Sequence, residues 1–323
     1  MIRIGIVGCS EIAFRRFMPA LQEVSDICAV AVAEEYAPAK LDAFCSEYSI
    51  DGMASFEQLI GRKDIDSIYV PQPPALHFKW AMKALDAGKH VLVEKPSTTC
   101  FTDSEKIIKA AKEKGLALHE NYMFKYHSQI GEIKRILASG EIGELRLIRA
   151  NFGFPMRAQN DFRYNKALGG GALLDAGGYT VKLATELLGS SIKVDSAQLN
   201  KKAGYEVDMY GSASFSNADG LICQVGFGMD CQYMCSLDIW GSAGRLFTNR
   251  IFTAPVGFNP TVIIEKGAEK KEIILADDSS FAHSIEAFKE EVCTPEKRHA
   301  MYDEILLQSK LVDTIREKGT RQR

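Results

Sequence analysis

Apolar residues in the first 120 positions come in short continuous runs, and the segments between them carry helical spacing. Arg3-Ile4-Gly5-Ile6-Val7, Ile27 to Ala33, Ile65 to Val70, Val91-Leu92-Val93 and Leu116 to His119 are such runs. Strands covered on both faces read as continuous rather than alternating apolar patterns, so these five are expected to be buried strands. Between them Phe14, Phe17, Met18 and Leu21 fall at helical spacing, and the Ala75 to Ala87 segment ends at Gly88. Thr102 and Glu105 have the spacing of a capping box for a helix that Gly115 closes. Strands alternating with helices predict an α/β unit, a doubly wound parallel sheet over residues 1–121.

Beyond Asn121 the period changes. Helices are expected near 128–138 and 172–188, with a long strand from Glu144 to Phe152. From Ile192 to Ile274 strand-like runs dominate, broken by turn signals such as Ser216-Asn217-Ala218-Asp219-Gly220 and Gly241-Ser242-Ala243-Gly244. Consecutive strands with tight turns predict an open, mainly antiparallel sheet. Residues 122–323 therefore read as an α+β substrate-binding and oligomerisation domain, whose closing helices (279–292 and 300–317) are placed to pack back on the first domain. A sheet with helices on one face needs cover on the other, and a symmetric partner would supply it, so a homodimer or homotetramer is expected.

Composition narrows the function. Of 323 residues 46% are hydrophobic and 25% charged, and 39 Lys plus Arg against 42 Asp plus Glu give a net charge of -3. That balance offers no general attraction for nucleic acid or an anionic membrane, so any anion needs a local site. The chain has no run approaching the roughly 20 apolar residues of a membrane span and opens without a leader pattern, so a cytoplasmic location is expected. Eight cysteines without CxxC spacing and six histidines without HxH or HxxxH pairs predict reduced thiols and no metal.

The candidate chemistry gathers at strand ends. Gly8-Cys9-Ser10-Glu11-Ile12-Ala13 follows the first strand and opens a helix, with Gly8 at the first position of a dinucleotide fingerprint, Ser10 at the second and Ala13 at the third. Free N–H groups and the positive end of the helix suit a pyrophosphate. Glu34-Glu35 ends the second strand where such a fold meets the adenosine ribose. A carboxylate there accepts from both ribose hydroxyls and repels a 2′-phosphate, which predicts NAD(H) over NADP(H). Glu94-Lys95-Pro96 ends the Val91-Leu92-Val93 strand, and proline cannot extend a ladder, so Lys95 falls at the ligand edge of a parallel sheet. In the second half, Gly169-Gly170-Gly171 and Gly177-Gly178 bracket Asp175 and lead into Tyr179. Glycines at such density fit close approach of backbone to a ligand. Ketone reduction by a dihydronicotinamide needs a proton for the oxygen. A tyrosine near an ammonium has a lowered pKa, so Tyr179 as acid and Lys95 as electrostatic partner is one assignment, and Lys95 as direct donor the other. Asp175, one helical turn before Tyr179, could meet substrate hydroxyls or orient Lys95. Arg163, between Phe162 and Tyr164, could hold a diphosphate beside aromatic faces that stack a base.

These motifs, with Glu120-Asn121, resemble the Gfo/Idh/MocA oxidoreductase family over most of the chain. Tyr69-Val70-Pro71-Gln72-Pro73-Pro74, Tyr122-Met123-Phe124, His127-Ser128-Gln129, Asp161-Phe162-Arg163-Tyr164 and Trp240-Gly241-Ser242-Ala243-Gly244-Arg245-Leu246 look more narrowly like the sugar 3-ketoreductases of deoxysugar biosynthesis. The resemblance implies hydride transfer between a nicotinamide cofactor and a nucleotide-linked 3-keto-hexose, with Lys95, Tyr179 and Asp175 catalytic. It implies cofactor contacts from Gly8, Cys9, Ser10, Ile12, Glu34, Pro71, Pro73, His77, Glu94, Lys95 and Asn121, and substrate contacts from Phe162, Arg163 and Tyr164. Two departures stand out. Many relatives that oxidise free polyols carry histidine and aspartate where Tyr179 and Lys182 stand, and the ketoreductases usually carry a serine-arginine pair where Glu34-Glu35 stands. Two other readings stay open: a dehydrogenase of free sugars or trans-dihydrodiols, and a non-catalytic dinucleotide-binding regulator.

Overall fold

The computed structural model describes residues 1–321. In the first unit six strands, β1 (Ile2–Val7), β2 (Ile27–Ala33), β3 (Asp51–Met53), β4 (Ser67–Val70), β5 (His90–Glu94) and β6 (Leu118–Asn121), lie in the order β3-β2-β1-β4-β5-β6. Every pairing is parallel. The continuous apolar runs are the reason: Val91, Leu92 and Val93 are each no more than 1% exposed, and burying such a side chain contributes about 1.5–3 kcal/mol. The sequence reading misses β3. Its Asp51 and Gly52 are exposed, and a three-residue polar edge strand leaves no apolar signature.

The helix after β5 spans Phe101–Lys114 with Cys100 at its N-cap. Thr102 lies inside its first turn, so the expected Thr102–Glu105 capping box does not form. Gly115 does end it, in the left-handed conformation at φ +63°. Residues Phe281–Ser309 cluster with this unit, and Met301, Tyr302 and Ile305 join the core of the parallel sheet.

The second unit takes in Met123–Ser280 and the chain from Lys310 onward. Its strands are β7 (Leu145–Gly153), β8 (Lys193–Lys201), β9 (Asp208–Ser216), β10 (Ile222–Gly228), β11 (Met234–Gly241), β12 (Arg245–Asn249), β13 (Thr261–Lys266) and β14 (Glu269–Ile274). They form one sheet in the order β14-β13-β12-β11-β7-β10-β9-β8. All neighbours are antiparallel except β7 and β10. Period-two alternation sets its faces: Cys223, Val225 and Phe227 of β10 and Cys235, Leu237 and Ile239 of β11 are buried. The Gly178–Leu188 helix packs on β7 and β10. Tyr210, Ile222, Met234 and Trp240 remain exposed on these strands.

Candidate active site

The glycine loop after β1 is closed by packing that a side chain at Gly8 would break. Gly8 has φ +107°, and a Cβ on it would lie 2.0 Å from Gln72 Nε2. That amide donates to the Val7 carbonyl at 2.7 Å, tying the proline-rich turn after β4 to the end of β1. Gln72 escapes the sequence reading, although a polar side chain between prolines at a ligand edge was a visible signal. Ser10 Oγ accepts the Ala13 N–H at 3.2 Å, so it caps the π-helical turn Ala13–Phe17 and keeps its own proton to donate. Glu34 closes the loop from the β2 side: Oε2 accepts the Cys9 N–H and Oε1 the Tyr36 N–H, each at 3.0 Å. Glu35 instead accepts the Phe56 N–H at 2.9 Å, at the start of the Phe56–Ile60 helix. Burial, reinforced by the Glu34 charge, pushes the Cys9 thiol up to about 12, so it stays protonated. A glycine in the left-handed region, a donor-rich helix start and a carboxylate at the end of β2 fit a dinucleotide.

Lys95 follows β5, half-buried, and joins Pro96 through a cis peptide bond. Three residues expected against the cofactor are buried here and committed to protein partners. Glu94 Oε1 accepts from Tyr69 Oη and from Asn121 Nδ2, each at 2.7 Å. Burial outweighs these donors and the Lys95 charge and raises the Glu94 pKa. The other end of the Asn121 amide accepts from Ser284 Oγ at 2.8 Å. His77 is 1% exposed; its Nδ1 faces the Pro96 carbonyl at 2.7 Å and its Nε2 faces the Gln72 carbonyl. Burial pulls its pKa down to about 4, so the ring is neutral and braces the proline turn against the segment after Lys95. These side chains support the strand ends from within. Pro71 is buried, while Pro73, at the N-cap of the Pro74–Asp86 helix, and Ile12 are half-buried.

In the second unit Tyr179 stands on the Gly178–Leu188 helix directly after a π-helical turn, Leu173–Gly177. Its half-buried ring lies among Phe124, Phe152 and Phe252, with centroids 5.7, 5.3 and 5.9 Å away. Its hydroxyl donates to Met123 Sδ at 3.7 Å, and a thioether is a weak acceptor. Phe252 carries no signal that singles it out in the sequence, and Met123 enters only within the Tyr122-Met123-Phe124 segment. Asp175, one turn earlier, accepts from Arg163 Nε at 2.6 Å, and the same guanidinium reaches Asp161 Oδ1 at 3.1 Å and lies 4.5 Å from the centre of the Phe162 ring. Burial opposes the Arg163 charge, but Asp175 and Asp161 outweigh it and raise its pKa. Arg163 thus ties Asp175 and Asp161 together through Nε and Nη1. Tyr164 is 8% exposed, and its Oη accepts the Arg157 N–H at 2.8 Å, which gives it a structural place.

Protein neighbours crowd part of the glycine run. A Cβ on Gly170 would lie 2.3 Å from the Arg163 carbonyl oxygen, and one on Gly171 (φ +125°) 2.6 Å from Asp208 Oδ1. Asp208 Oδ2 accepts the Leu173 N–H at 2.7 Å, placing a carboxylate at the start of the turn that carries Asp175. These glycines admit protein backbone and a capping acid. Among the described residues no group of three or more His, Cys, Asp or Glu side chains is placed to hold a metal ion, and no helix is long and apolar enough to cross a membrane.

Residues 2–122 match the oxidoreductase family with an NAD-binding Rossmann fold, and residues 130–247 match the Gfo/Idh/MocA C-terminal domain. The chain belongs to the Gfo/Idh/MocA oxidoreductase family. It is thus an oxidoreductase that binds a nicotinamide dinucleotide on the parallel-sheet unit. It is 37% identical over 317 residues, 98% of the chain and 95% of the relative, to dTDP-3,4-didehydro-2,6-dideoxy-alpha-D-glucose 3-reductase of Actinomadura kijaniata. A reductase of the same name from Saccharopolyspora spinosa is 37% identical over 90% of the chain and 87% of its own length. Among solved structures, KijD10, a 3-ketoreductase from Actinomadura kijaniata in complex with NADP and TDP-benzene, superposes with a TM-score of 0.95 at 36% identity, covering 98% of this chain and 97% of that one. KijD10 has also been crystallised with a tyrosine replaced by phenylalanine and with a lysine replaced by alanine.

Proposed function

We propose that this family member reduces the 3-keto group of a nucleotide-linked hexose. The observation that carries the reading is likeness along nearly the whole chain to reductases named for that reaction, 37% identity over 98% of the chain in one case. A bound dihydronicotinamide supplies the hydride. Tyr179 gives the proton to the carbonyl oxygen; its hydroxyl is a donor already, to Met123 Sδ. Lys95 stabilises the oxyanion and the phenolate left behind. Asp175, fixed by Arg163, orients substrate hydroxyls, and the Phe162 ring offers a stacking face for the nucleotide base. Comparing kcat/KM for a nucleotide-linked 3-keto sugar with that for the free sugar tests this assignment: a preference for the linked substrate is expected, and equal or better use of the free sugar overturns it.

For the cofactor, Glu34 supports NAD(H). Its carboxylate caps the glycine loop, and the 2′-phosphate of NADP(H) would add negative charge beside it. In a fluorescence titration NADH is expected to bind at least about tenfold more tightly than NADPH, ~1.4 kcal/mol, and Glu34→Ser to narrow the gap; tighter binding of NADPH to the native chain overturns the preference. We also propose a homo-oligomer in which a second copy covers the exposed Tyr210, Ile222, Met234 and Trp240 of the antiparallel sheet.

A further inference from the structure

β7 and β11 end side by side, and the chain just beyond them presents two arginines. Gly153 and Met234 are partners at this end of the ladder, so Phe154 and Tyr233 leave it on neighbouring chains; the Phe154 carbonyl accepts the Cys231 N–H at 3.2 Å. Residues two apart share a face of a strand. Phe152, the register partner of Cys235, turns its ring to Tyr179 at 5.3 Å. The Phe154 ring lies 5.9 Å from that of Phe152, and Thr253 Oγ1 contacts both Cys235 Sγ at 3.5 Å and Tyr233 Oη at 2.8 Å. Phe154 and Tyr233 are thus on the Tyr179 side of the sheet.

Each of these two rings carries a guanidinium. Arg157 lies 5.1 Å from the centre of Phe154 and Arg250 4.8 Å from that of Tyr233. Both arginines are exposed, and neither pairs with a carboxylate among the described residues. The acids near them have cations of their own: Asp161 and Asp175 bond Arg163, and Asp230 holds Lys202 at 3.2 Å. Arg250 directs one N–H to Tyr233 Oη at 3.1 Å. A guanidinium stacked on a ring keeps its other donors in its own plane, where they match paired phosphate oxygens.

The backbone that presents Arg250 is held in a conformation disfavoured for any residue but glycine, with φ +60°. Such a conformation persists where its surroundings over-determine it. Gln129, 1% exposed, donates from Nε2 to the Arg250 carbonyl at 3.5 Å and the Ile251 carbonyl at 3.4 Å. The Ile251 N–H goes to the Cys235 carbonyl and the Phe252 N–H to Cys235 Sγ, each at 3.3 Å. These bonds bring Phe252 to 5.9 Å from Tyr179 and leave the Arg250 side chain outside. They also give the His127-Ser128-Gln129 motif a task. Arg157 is fixed at its own backbone, which donates to Tyr164 Oη at 2.8 Å in the turn that carries Phe162.

We propose that Arg157 and Arg250 bind the diphosphate of the nucleotide-linked substrate. The inference rests on the substrate reading above and supplies the cations it needs, since a chain of net charge -3 attracts an anion only at a local site. The diphosphate hangs on the sugar whose keto group meets Tyr179, and the two guanidiniums stand next outward from the Phe152 and Phe252 rings that enclose that tyrosine.

Calorimetric titration of thymidine diphosphate tests the site, with excess oxidised dinucleotide present to keep the ligand off the glycine loop after β1. Native binding is expected, weakened about tenfold by either Arg250→Asn or Arg157→Gln and about a hundredfold by both. Thymidine itself is bound alike by every variant. Asparagine accepts the left-handed backbone at 250, and Arg250→Lys, with a charge but no planar fork, falls between. Arg149→Gln, on the opposite face over Trp240, is the control and leaves affinity unchanged. With the nucleotide-linked 3-keto sugar, KM rises by the same factors while kcat is unchanged. Native affinity in both single variants overturns the site and leaves the substrate reading standing. Equal weakening in Arg149→Gln makes the effect one of overall charge and also overturns it. Arginine-dependent binding of the diphosphate, without reduction of any nucleotide-linked 3-keto sugar, sinks the substrate reading instead; a native chain that binds thymidine diphosphate no better than thymidine sinks both.

Discussion

Tyr179→Phe lowers kcat on the order of 10²- to 10⁴-fold while leaving dinucleotide affinity nearly intact. The phenyl ring keeps the packing against Phe124, Phe152 and Phe252, and the only group removed is a hydroxyl whose contact with Met123 Sδ contributes little to stability. The loss therefore reports the proton, not the fold. Lys95→Ala withdraws the ammonium proposed to stabilise the oxyanion, and a drop of similar order is expected. Neither change touches the Gly8 loop or Glu34, so cofactor titrations of both variants should overlay the native curve. Full turnover by both would show the chemistry to be assigned to the wrong residues.

Gly170→Ala destabilises the antiparallel-sheet unit. Its Cβ would meet the Arg163 carbonyl oxygen at 2.3 Å and the carbonyl carbon at 2.7 Å, both backbone atoms that no rotamer change can move. Overpacking of this kind costs about 1–3 kcal/mol. The displacement falls on Arg163, and through its 2.6 Å bond to Asp175 reaches the turn before Tyr179, so kcat should fall together with the melting temperature. Gly131→Ala is the control. It lies inside the Ser128–Ala138 helix with nothing within 4 Å of a built Cβ, and alanine there is expected to raise stability by about 0.5–1 kcal/mol. If both substitutions behave alike, crowding at Gly170 is not what the glycine is for.

The parallel sheet was legible because its strands are buried on both faces and therefore apolar without interruption. The second sheet was legible through its turns. β3 was not, since an exposed edge strand of Asp51-Gly52-Met53 looks like loop. Lys95 at the end of β5 and Glu34 at the end of β2 could be placed from strand ends alone. What escaped is set by three-dimensional neighbours. Nothing in the local pattern says that Gly170 and Gly171 make room for the Arg163 carbonyl and the Asp208 carboxylate, or that Arg163 bonds both Asp161 and Asp175. A histidine two residues before an asparagine does not announce a helix 165 residues later that joins them, as Ser284 joins His119. Sequence spacing reports periodicity within an element, whereas partners of buried polar groups depend on which elements meet.

The measurement closest to the central claim is the fate of the transferred hydrogen. The protein is incubated with dihydronicotinamide deuterated at the transferring position and a nucleotide-linked 3-keto hexose, and the product is read by proton NMR. Deuterium on the sugar carbon C3, with its transfer slowed in Tyr179→Phe, is the predicted result. Deuterium at another carbon, or consumption of the cofactor without label in the sugar, would contradict the account.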